Sequence, residues 1–266
     1  MTRQERKAAA FQALHEGGAF VIPNPWDAGS ARVLAALGFR ALATTSSGFA
    51  FTLGRLDGEA TLDDVVAHTE ALDAATELPV SVDLENGYGD SPESAAQAVA
   101  RVAEAGAVGA SIEDFDPAGR LYERSQAVER VAAAAEVTRG LGFPFMLTAR
   151  AENHIRGNPE LDDTIARLQD FEAAGAEVLY APGLRTTSEI RAVCDAVSRP
   201  VNVLALGGLS LDEIAAAGAQ RVSVGGGLTW VAVNAMAEAA RGIHERGDFS
   251  SLGVSLPLRD WFRASS

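Results

Sequence analysis

The chain has 266 residues, of which 47% are hydrophobic, and its 22 basic and 36 acidic residues give a formal net charge of −14. This acidic balance argues against nucleic acid or an anionic membrane as a partner. The single cysteine, Cys194, excludes an intramolecular disulfide, the N-terminal stretch lacks the apolar core of a signal peptide, and no run approaches the ~18 apolar residues of a membrane span. We therefore expect a soluble cytoplasmic protein.

Helical stretches that end in glycine are followed within a few residues by β-branched strands along the chain, as in VAEAGAVGASIED (102–114). Glycine suits the position after a helix because it enters the left-handed conformation cheaply. The pattern predicts eight strands, near 19–22, 41–46, 79–84, 109–113, 144–150, 177–181, 201–206 and 221–225. Helices are predicted after the first seven strands near 28–38, 61–76, 91–105, 124–140, 160–174, 187–198 and 210–217, and a last helix near 228–246.

Regular alternation of strand and helix favours parallel strands joined by right-handed crossovers. Eight such units without a linker or a break in composition predict one (β/α)8 TIM-barrel domain over residues 1–266. A doubly wound open sheet is the alternative. It is disfavoured because no GxGxxG motif follows the first strand, where the turn reads NPWDAGS (24–30).

Polar residues interrupt the apolar pattern where the third, fourth and fifth strands end. In such barrels the active site lies at these C-terminal ends, and alternate residues face the barrel axis. The residues on the axis side are Asp83, Glu85, Glu113 and Arg150. Acids this close raise one another's pKa unless a cation joins them. Oxygen ligands suit Mg²⁺ or Mn²⁺, so we predict a metal-dependent site rather than a solvated loop with scattered acids.

Four further residues are candidates for the same pocket. His154, just past the fifth strand, is either a general acid or base or a hydrogen-bonding loop residue. Tyr88, between two glycines, is a candidate phenol at the pocket mouth, and Trp26 is a candidate pocket wall. Asn202 should point inward from the seventh strand, where it can hydrogen-bond a substrate. Cys194 lies in a predicted helix and is expected in the core.

The glycines after the last two strands favour a second interpretation. The segments are LGGLS (206–210) and VGGGLTW (224–230), and each precedes a predicted helix. Glycines at a helix N-terminus are the setting of the common barrel phosphate site, which would suit an isomerase or synthase of phosphosugars. That interpretation does not explain the acid cluster, and the glycines could serve only tight turns. The only lysine, Lys7, lies in a helical N-terminal stretch, so a Schiff-base mechanism is excluded.

Five sequence blocks, in their order and spacing, resemble the isocitrate lyase/phosphoenolpyruvate mutase superfamily from about residue 20 to about residue 230. They are PNPWDAGSARVLAALGF (23–39), TTSSGF (44–49), VDLENGYGD (82–90), SIEDF (111–115) and TARAE (148–152). The resemblance implies a barrel whose eighth helix is swapped between subunits of a homodimer or homotetramer. It also implies cleavage or formation of a C–C or C–P bond beside a small 2-oxo carboxylate, whose oxyanion Mg²⁺ would hold.

The resemblance implies roles for individual residues. Asp83 matches the acid that contacts the metal most directly, and Glu85 and Glu113 match positions that hold its waters. Asp57 matches a further acid on the second βα loop.

The remaining matched positions concern the substrate. Ser47 and Gly48 match a pair whose backbone N–H groups receive the substrate carboxylate. Arg150 matches the arginine that clamps this carboxylate or the carbonyl oxygen, a task that suits a guanidinium fork.

The loop after the fourth strand departs from the family pattern. Isocitrate and methylisocitrate lyases carry a Lys-x-Cys-Gly-His loop there, whose cysteine is the acid/base, and the mutases carry Lys and Asn. Here the loop reads EDFDPAGRLYERSQA (113–127), without any of these residues. The resemblance therefore favours a reaction that needs little beyond enolate stabilisation, such as oxaloacetate decarboxylation. The alternative is a 2-oxo acid binding protein without turnover.

Apolar residues also recur on one side of the last predicted helix, 228–246. Leu228, Val231, Ala235 and Ala239 form a helical stripe. Such a stripe suits an exchange of this helix between subunits. It could equally cover the barrel of its own chain.

Overall fold

The computed structural model describes residues 1–264, and its eight strands form a parallel, nearly closed barrel. The strands are β1 Phe20–Ile22, β2 Leu42–Ala43, β3 Val80–Asp83, β4 Gly109–Glu113, β5 Met146–Arg150, β6 Val178–Tyr180, β7 Val201–Leu204 and β8 Arg221–Ser223. They pair in the order β1-β8-β7-β6-β5-β4-β3-β2. At the seam between β1 and β2, the Ala43 N–H donates to the Pro23 carbonyl oxygen at 3.1 Å. The predicted (β/α)8 barrel is confirmed.

Helices follow the strands around the outside of the barrel. Their bounds are α1 Arg3–His15, α2 Ala28–Ala36, α3 Ser46–Thr52, α4 Leu62–Ala75, α5 Pro92–Glu104, α6 Arg124–Gly140, α7 Leu161–Ala174, α8 Thr187–Ala196, α9 Leu211–Ala216, α10 Gly227–Arg246 and α11 Leu258–Ala264, with a short 3-10 turn at Ser250–Leu252. Side-chain caps start many of them; the Thr61 hydroxyl, for example, accepts from the Asp64 N–H at the start of α4. Within residues 1–264, no helix combines the length and the hydropathy needed to cross a bilayer.

The second strand is shorter than the sequence predicts. We expected it to span 41–46, but β2 ends at Ala43 and Ser46 is already the first residue of α3. The cause is a local cap, because the Thr45 hydroxyl accepts from the Gly48 N–H at 3.5 Å and so begins the helix. As a result, Ser47 and Gly48 lie in the first turn of a helix rather than in an extended loop.

The N-terminal helix α1 closes the bottom of the barrel. Phe11 packs there in an apolar cluster with Phe20 and Met146, separate from the larger core between strands and helices. Gly109 is required at this level, because a Cβ atom would lie 2.8 Å from the Phe11 ring. Lys7 is buried beside this plug, where its ammonium donates to Asp73 Oδ1 at 2.6 Å. This apolar plug therefore fills the lower part of the barrel.

Helix α10 leaves most of its apolar surface in solvent. Trp230, Val231 and Met236 are 46%, 69% and 60% exposed. Leu228 and Ala235 of the predicted stripe are exposed as well. Three of the four residues of the predicted stripe therefore do not cover the barrel of their own chain, and Ala239 is half-buried. An exposed apolar surface of this kind marks an interaction site.

Candidate active site

Two adjoining cavities lie at the C-terminal ends of the strands, and Arg150 lines both. The inner chamber, of about 60 Å³, lies within the barrel and is defined by Asp83, Ser111, Arg150, Asn202, Arg221 and Ser223. The outer chamber, of about 400 Å³, is defined by Asp57, Glu85, Glu113, Asp116, Arg150 and Arg156. Together they bring the predicted acid cluster, the predicted arginine and Asn202 to one end of the barrel.

Asp83 ends β3 and is held by three neighbouring elements. Its Oδ2 accepts from the Ser46 N–H at 3.2 Å, and its Oδ1 accepts from the Ser111 hydroxyl at 3.4 Å. Arg150 Nη1 lies 4.0 Å from the same Oδ1 atom. The carboxylate is thus fixed in the wall of the inner chamber beside Arg150, as strand parity predicts.

The turn after Asp83 has an uncommon backbone conformation. Glu85 and Tyr88 have φ values of 48° and 60°, a region that residues with a Cβ atom seldom occupy. The turn is closed by a hydrogen bond from the Tyr88 hydroxyl to Glu85 Oε1 at 3.2 Å. Burial, with the charges of Asp83 and Asp57, raises the pKa of Glu85 to about 7. Strained backbone of this kind concentrates at functional sites, and here it turns the Glu85 carboxylate into the outer chamber.

Arg150 is held in place by carboxylates on two sides. Its Nη1 lies 3.2 Å from Glu113 Oε2, and its Nε donates to the fully buried Glu152. The Glu152 carboxylate also accepts from Arg156 Nε at 2.8 Å. Burial lowers the pKa of Arg150, but Glu113 and Glu152 outweigh burial and raise this pKa above its ordinary value. The guanidinium is therefore a permanent, oriented cation between the chambers.

The outer chamber carries more negative than positive side chains. Its lining includes five acids and two arginines. The acids are Asp57, Glu59, Glu85, Glu113 and Asp116, and the arginines are Arg150 and Arg156. Within residues 1–264, no three acid, histidine or cysteine side chains lie close enough to enclose a metal ion unaided. The oxygen donors and the raised pKa of Glu85 fit a divalent cation held by one or two carboxylates and completed by water, as Mg²⁺ is commonly bound.

The inner chamber is walled mainly by neutral polar groups and one further cation. Asn202 is buried there, and its amide donates to the Ser223 hydroxyl at 2.9 Å. Its Oδ1 atom accepts from Arg221 Nε at 2.9 Å. Sequence reasoning found Asn202 but missed Arg221. A signal existed, because Arg221 and Ser223 alternate with valines in RVSV (221–224), and this parity places both on the axis.

Ser47, Gly48 and Trp26 are packed together beside the inner chamber. A Cβ atom at position 48 would lie 2.5 Å from Thr229 Oγ1 and 3.2 Å from Trp26 Cβ, so only glycine fits. Thr45 and Ser46, immediately before this pair, line the inner and the outer chamber. The predicted carboxylate-binding turn is therefore adjacent to the cavity walls.

His154 does not line either chamber. A Cβ atom at Gly183, in the loop after β6, would lie 3.2 Å from His154 Cδ2. The imidazole thus belongs to the surroundings of that loop, and its Nδ1 has no hydrogen-bond partner within residues 1–264. The structure does not bring His154 together with Asp83, Glu113 and Arg150.

The loop after β4 forms a small hairpin with a bridge between Phe115 and Leu121. Asp116 and Arg120 form an ion pair across it at 2.6 Å. The loop offers the site carboxylates but no thiol. Cys194 packs against the core between strands and helices, and burial raises the pKa of this thiol to about 11, so it is no substitute for a catalytic cysteine.

The glycines after the last strands lie in two environments. Gly225 lines the inner chamber. Gly207 and Gly208 have φ values of 88° and 90°, and a Cβ atom at either would have no neighbour within 4 Å. Their backbone conformation alone accounts for glycine at both positions, without a phosphate ligand.

Comparison with known proteins relates the whole barrel to one family. The phosphoenolpyruvate phosphomutase family model matches residues 11–244. An uncharacterized protein of Mycobacterium tuberculosis is 32% identical over 92% of both chains. The 2-methylisocitrate lyase of Escherichia coli is 30% identical over 62% of this chain and 57% of its own. An oxaloacetate decarboxylase of Bradyrhizobium diazoefficiens is 30% identical over 53% of this chain and 50% of its own.

Solved structures agree with these relatives. A Burkholderia cenocepacia protein, assigned provisionally as a lyase or mutase, has a TM-score of 0.95 at 52% identity and covers 98% of this chain and 97% of its own. The 2,3-dimethylmalate lyase is a member of the phosphoenolpyruvate mutase/isocitrate lyase superfamily. It has a TM-score of 0.85 at 25% identity and covers 99% of this chain and 94% of its own.

Proposed function

Because this chain belongs to the phosphoenolpyruvate phosphomutase family, within the isocitrate lyase/phosphoenolpyruvate mutase superfamily, we propose that it is a lyase or decarboxylase of a small, oxaloacetate-like 2-oxo carboxylate. Enzymes of this superfamily act on C–C or C–P bonds. The observation that carries the proposal is the position of Arg150 between an acidic chamber and a chamber with a second cation. This arrangement offers a divalent cation carboxylates on both sides of Arg150, and it offers an anionic substrate the guanidinium groups of Arg150 and Arg221.

Four acids would hold Mg²⁺ or Mn²⁺ in this proposal. Asp83 would be the direct ligand, from the inner chamber beside Arg150, and Glu85, Glu113 and Asp57 are placed around the outer chamber to hold its waters. When bound, the cation would supply a Lewis acid that stabilises the enolate of the substrate. The acids themselves keep that cation next to Arg150.

Arg150 would bind the substrate carboxylate or carbonyl oxygen through its guanidinium. Its orientation is set before the substrate arrives, because Glu152 and Glu113 hold it. The backbone N–H groups of Ser47 and Gly48 would receive the carboxylate, for which the Gly48 N–H would exchange its long, 3.5 Å bond to the Thr45 hydroxyl. Trp26 is packed behind them.

The rest of the pocket would be completed from two sides. Asn202 would hydrogen-bond the substrate within the inner chamber, and Tyr88 would close the outer side through its contact with Glu85. His154 is the weakest assignment, because it lines neither chamber.

The loop after β4 supports a reaction with modest demands on acid/base groups. In decarboxylation of oxaloacetate, the C3–C4 bond breaks, CO₂ leaves, and the resulting enolate takes one proton to become pyruvate. Such a reaction depends mainly on enolate stabilisation, which the charged groups around Arg150 can provide. An oxaloacetate decarboxylase among the relatives agrees with this choice.

We also propose that α10 is exchanged between subunits of a homodimer or homotetramer. Its exposed residues Trp230, Val231 and Met236 need a cover that residues 1–264 of one chain do not supply. In a symmetric dimer, each barrel would cover the exposed apolar residues of the other subunit's α10. Sedimentation analysis tests this proposal, and a monomer at micromolar concentration would contradict it.

The functional test compares the wild type with Asp83→Asn and with Asp63→Asn, a control in an exposed ion pair with Arg101. We expect the wild type to convert oxaloacetate to pyruvate with Mg²⁺. Asp83→Asn should lose roughly a hundredfold or more in kcat/KM, as when a main charge-stabilising group is removed, and the control should keep full activity. Calorimetry measures Mg²⁺ affinity in the same samples.

Three other outcomes would change the assignment. Mg²⁺-dependent binding of oxaloacetate without turnover would favour a 2-oxo acid binding protein. Metal-free binding of a phosphate ester would favour the barrel isomerase or synthase. Equal Mg²⁺ affinity in Asp83→Asn and the wild type would refute the metal site.

A further inference from the structure

Arg221 is a buried cation without an acidic partner. It is 5% exposed, and its Nε and Nη2 atoms donate to neutral oxygens, Asn202 Oδ1 and Thr148 Oγ1, each at 2.9 Å. Its Nη1 atom is buried and has no hydrogen-bond partner within residues 1–264. No carboxylate of that range forms an ion pair with it. The charge and one donor nitrogen are therefore both unmatched.

Other buried arginines of the protein are matched. Arg150 contacts Glu113 and Glu152, and Arg167 contacts Asp114 at 3.1 Å. Arg130 donates to backbone carbonyl oxygens on the turn after β3. Arg130 also lacks an acidic partner, but carbonyl oxygens accept from both of its terminal nitrogens. Since a buried charge is costly unless it is paired and hydrogen-bonded, Arg221, which lacks an acid and also has an unpartnered nitrogen, calls for a further partner.

The surroundings of Arg221 leave room for that partner. Arg221 lines the inner chamber, whose volume of about 60 Å³ exceeds the roughly 10–15 Å³ that one water needs. Asp83 is the acid that lines this chamber, and Arg150 already lies 4.0 Å from it. Burial raises the pKa of the Tyr180 phenol to about 12, so Tyr180 supplies no negative charge. A small anion would match both the space and the charge.

We propose that Arg221 is a specificity-determining residue, which binds one carboxylate of the substrate at the floor of the inner chamber. The inference rests on the proposed function and deepens it, because it restricts the substrates to dicarboxylic 2-oxo acids. One end of such a substrate would meet Arg150 and the outer chamber, and the other would meet the unpartnered Nη1 of Arg221. A monocarboxylic 2-oxo acid would leave Arg221 unmatched.

A buried water is the simplest alternative occupant. Water would satisfy the Nη1 donor, but it would bring no charge. The uncompensated charge is visible in the pKa of Arg221, which burial lowers to about 10. The two occupants differ in what they predict, because only a carboxylate makes Arg221 distinguish one ligand from another.

The test measures binding of pyruvate and of oxaloacetate to wild type, Arg221→Met and Arg221→Lys in Mg²⁺ by calorimetry. The affinity of each ligand is reported as its Kd. Where a variant turns oxaloacetate over, the KM is reported for oxaloacetate instead. We expect Arg221→Met to weaken the binding of oxaloacetate roughly tenfold to a hundredfold, the range for a hydrogen bond to a charged group. The binding of pyruvate should weaken less than about twofold. Arg221→Lys should lie between them, and Arg150→Met should weaken both ligands.

Ser223→Asp is a second variant that does not depend on removing a buried arginine. Ser223 shares the chamber wall and the strand face with Arg221, so an aspartate there would supply the missing anion from within. We expect a raised midpoint of thermal unfolding and loss of the preference for oxaloacetate over pyruvate.

The outcomes separate the two proposals. If the wild type binds neither ligand, the proposed function and this inference both fail. If the wild type binds both ligands and Arg221→Met weakens them equally, or changes neither, only the inference fails. An unfolded Arg221→Met leaves the decision to Ser223→Asp, where an unchanged ligand preference would refute the inference.

Discussion

The outer and inner chambers share one wall at Arg150 but differ in size, charge and origin. The outer chamber is roomy, at about 400 Å³, and its acids outnumber its arginines. The inner chamber is small, at about 60 Å³, and combines two arginines with a single aspartate. A cation held by Asp83 and the outer acids, with Arg150 and Arg221 facing the inner chamber, would place both signs of charge within one barrel mouth. The protein's net charge of −14 is then compatible with an anionic substrate.

The two chambers also differ in the elements that build them. Strand residues such as Ser111, Asn202 and Ser223 wall the inner chamber, so its geometry follows the barrel register. Loop residues such as Asp57 and Asp116 wall the outer chamber. We therefore expect changes at the shared wall to be most damaging and changes at the loop rim to be mild.

The largest effect is expected for Arg150→Met, which removes the wall that both chambers share. The variant removes the nearer cation of Glu113 and leaves both Glu113 and Glu152 with Arg156 alone. Breaking a buried pair typically costs about 3–5 kcal/mol of folding stability, and because Arg156 remains we expect the lower end of that range. Urea unfolding measures the loss, and saturating Mg²⁺ should recover part of it. The control is Arg55→Met, which breaks an exposed pair with Asp64 and should cost roughly 0–1 kcal/mol. Equal losses in both variants would show that the shared wall has no special role.

An intermediate effect is expected for Glu152→Gln, which changes the support of Arg150 rather than the site itself. The amide keeps the shape but weakens the hold on Arg150 and Arg156. We expect kcat/KM for oxaloacetate to fall roughly tenfold to a hundredfold, as for other outer-shell partners. Glu177→Gln, in a surface pair with Arg199, is the matched control. If the two glutamines behave alike, Glu152 does not position the arginine.

The smallest effect is expected for Asp57→Asn at the exposed rim of the outer chamber. Asp57 acts on the cation over a distance through solvent, so Mg²⁺ affinity should fall only about two- to fivefold. Because salt screens such interactions, the difference from wild type should disappear near 1 M salt. Calorimetric titration at low and high salt checks this. A loss as large as that of Asp83→Asn would place the cation at the rim instead.

Strand parity explains why much of the site could be predicted. Asp83, Glu113 and Arg150 were assigned to the barrel axis from alternation alone, and all three line the chambers. The same rule places Arg221 on the axis, because Arg221 and Ser223 alternate with valines in RVSV (221–224). Parity fails in loops, where no repeating geometry relates sequence to direction. His154 was grouped with Arg150 for its proximity in sequence, yet it lies by the loop after β6.

The sequence by itself determined the eight strand–helix units, the axis-facing residues and the absence of the usual lysine–cysteine–histidine loop, because these follow from local periodicity and from residue identity. Only the tertiary structure decided that β2 ends early, that Glu152 fastens Arg150, and that Arg221 is buried without an acid. Whether a buried charge is paired depends on side chains from strands that are far apart in sequence. Asn202, Arg221 and Thr148 meet only when the barrel closes, and closure is what buries the Arg221 guanidinium without a carboxylate partner among residues 1–264.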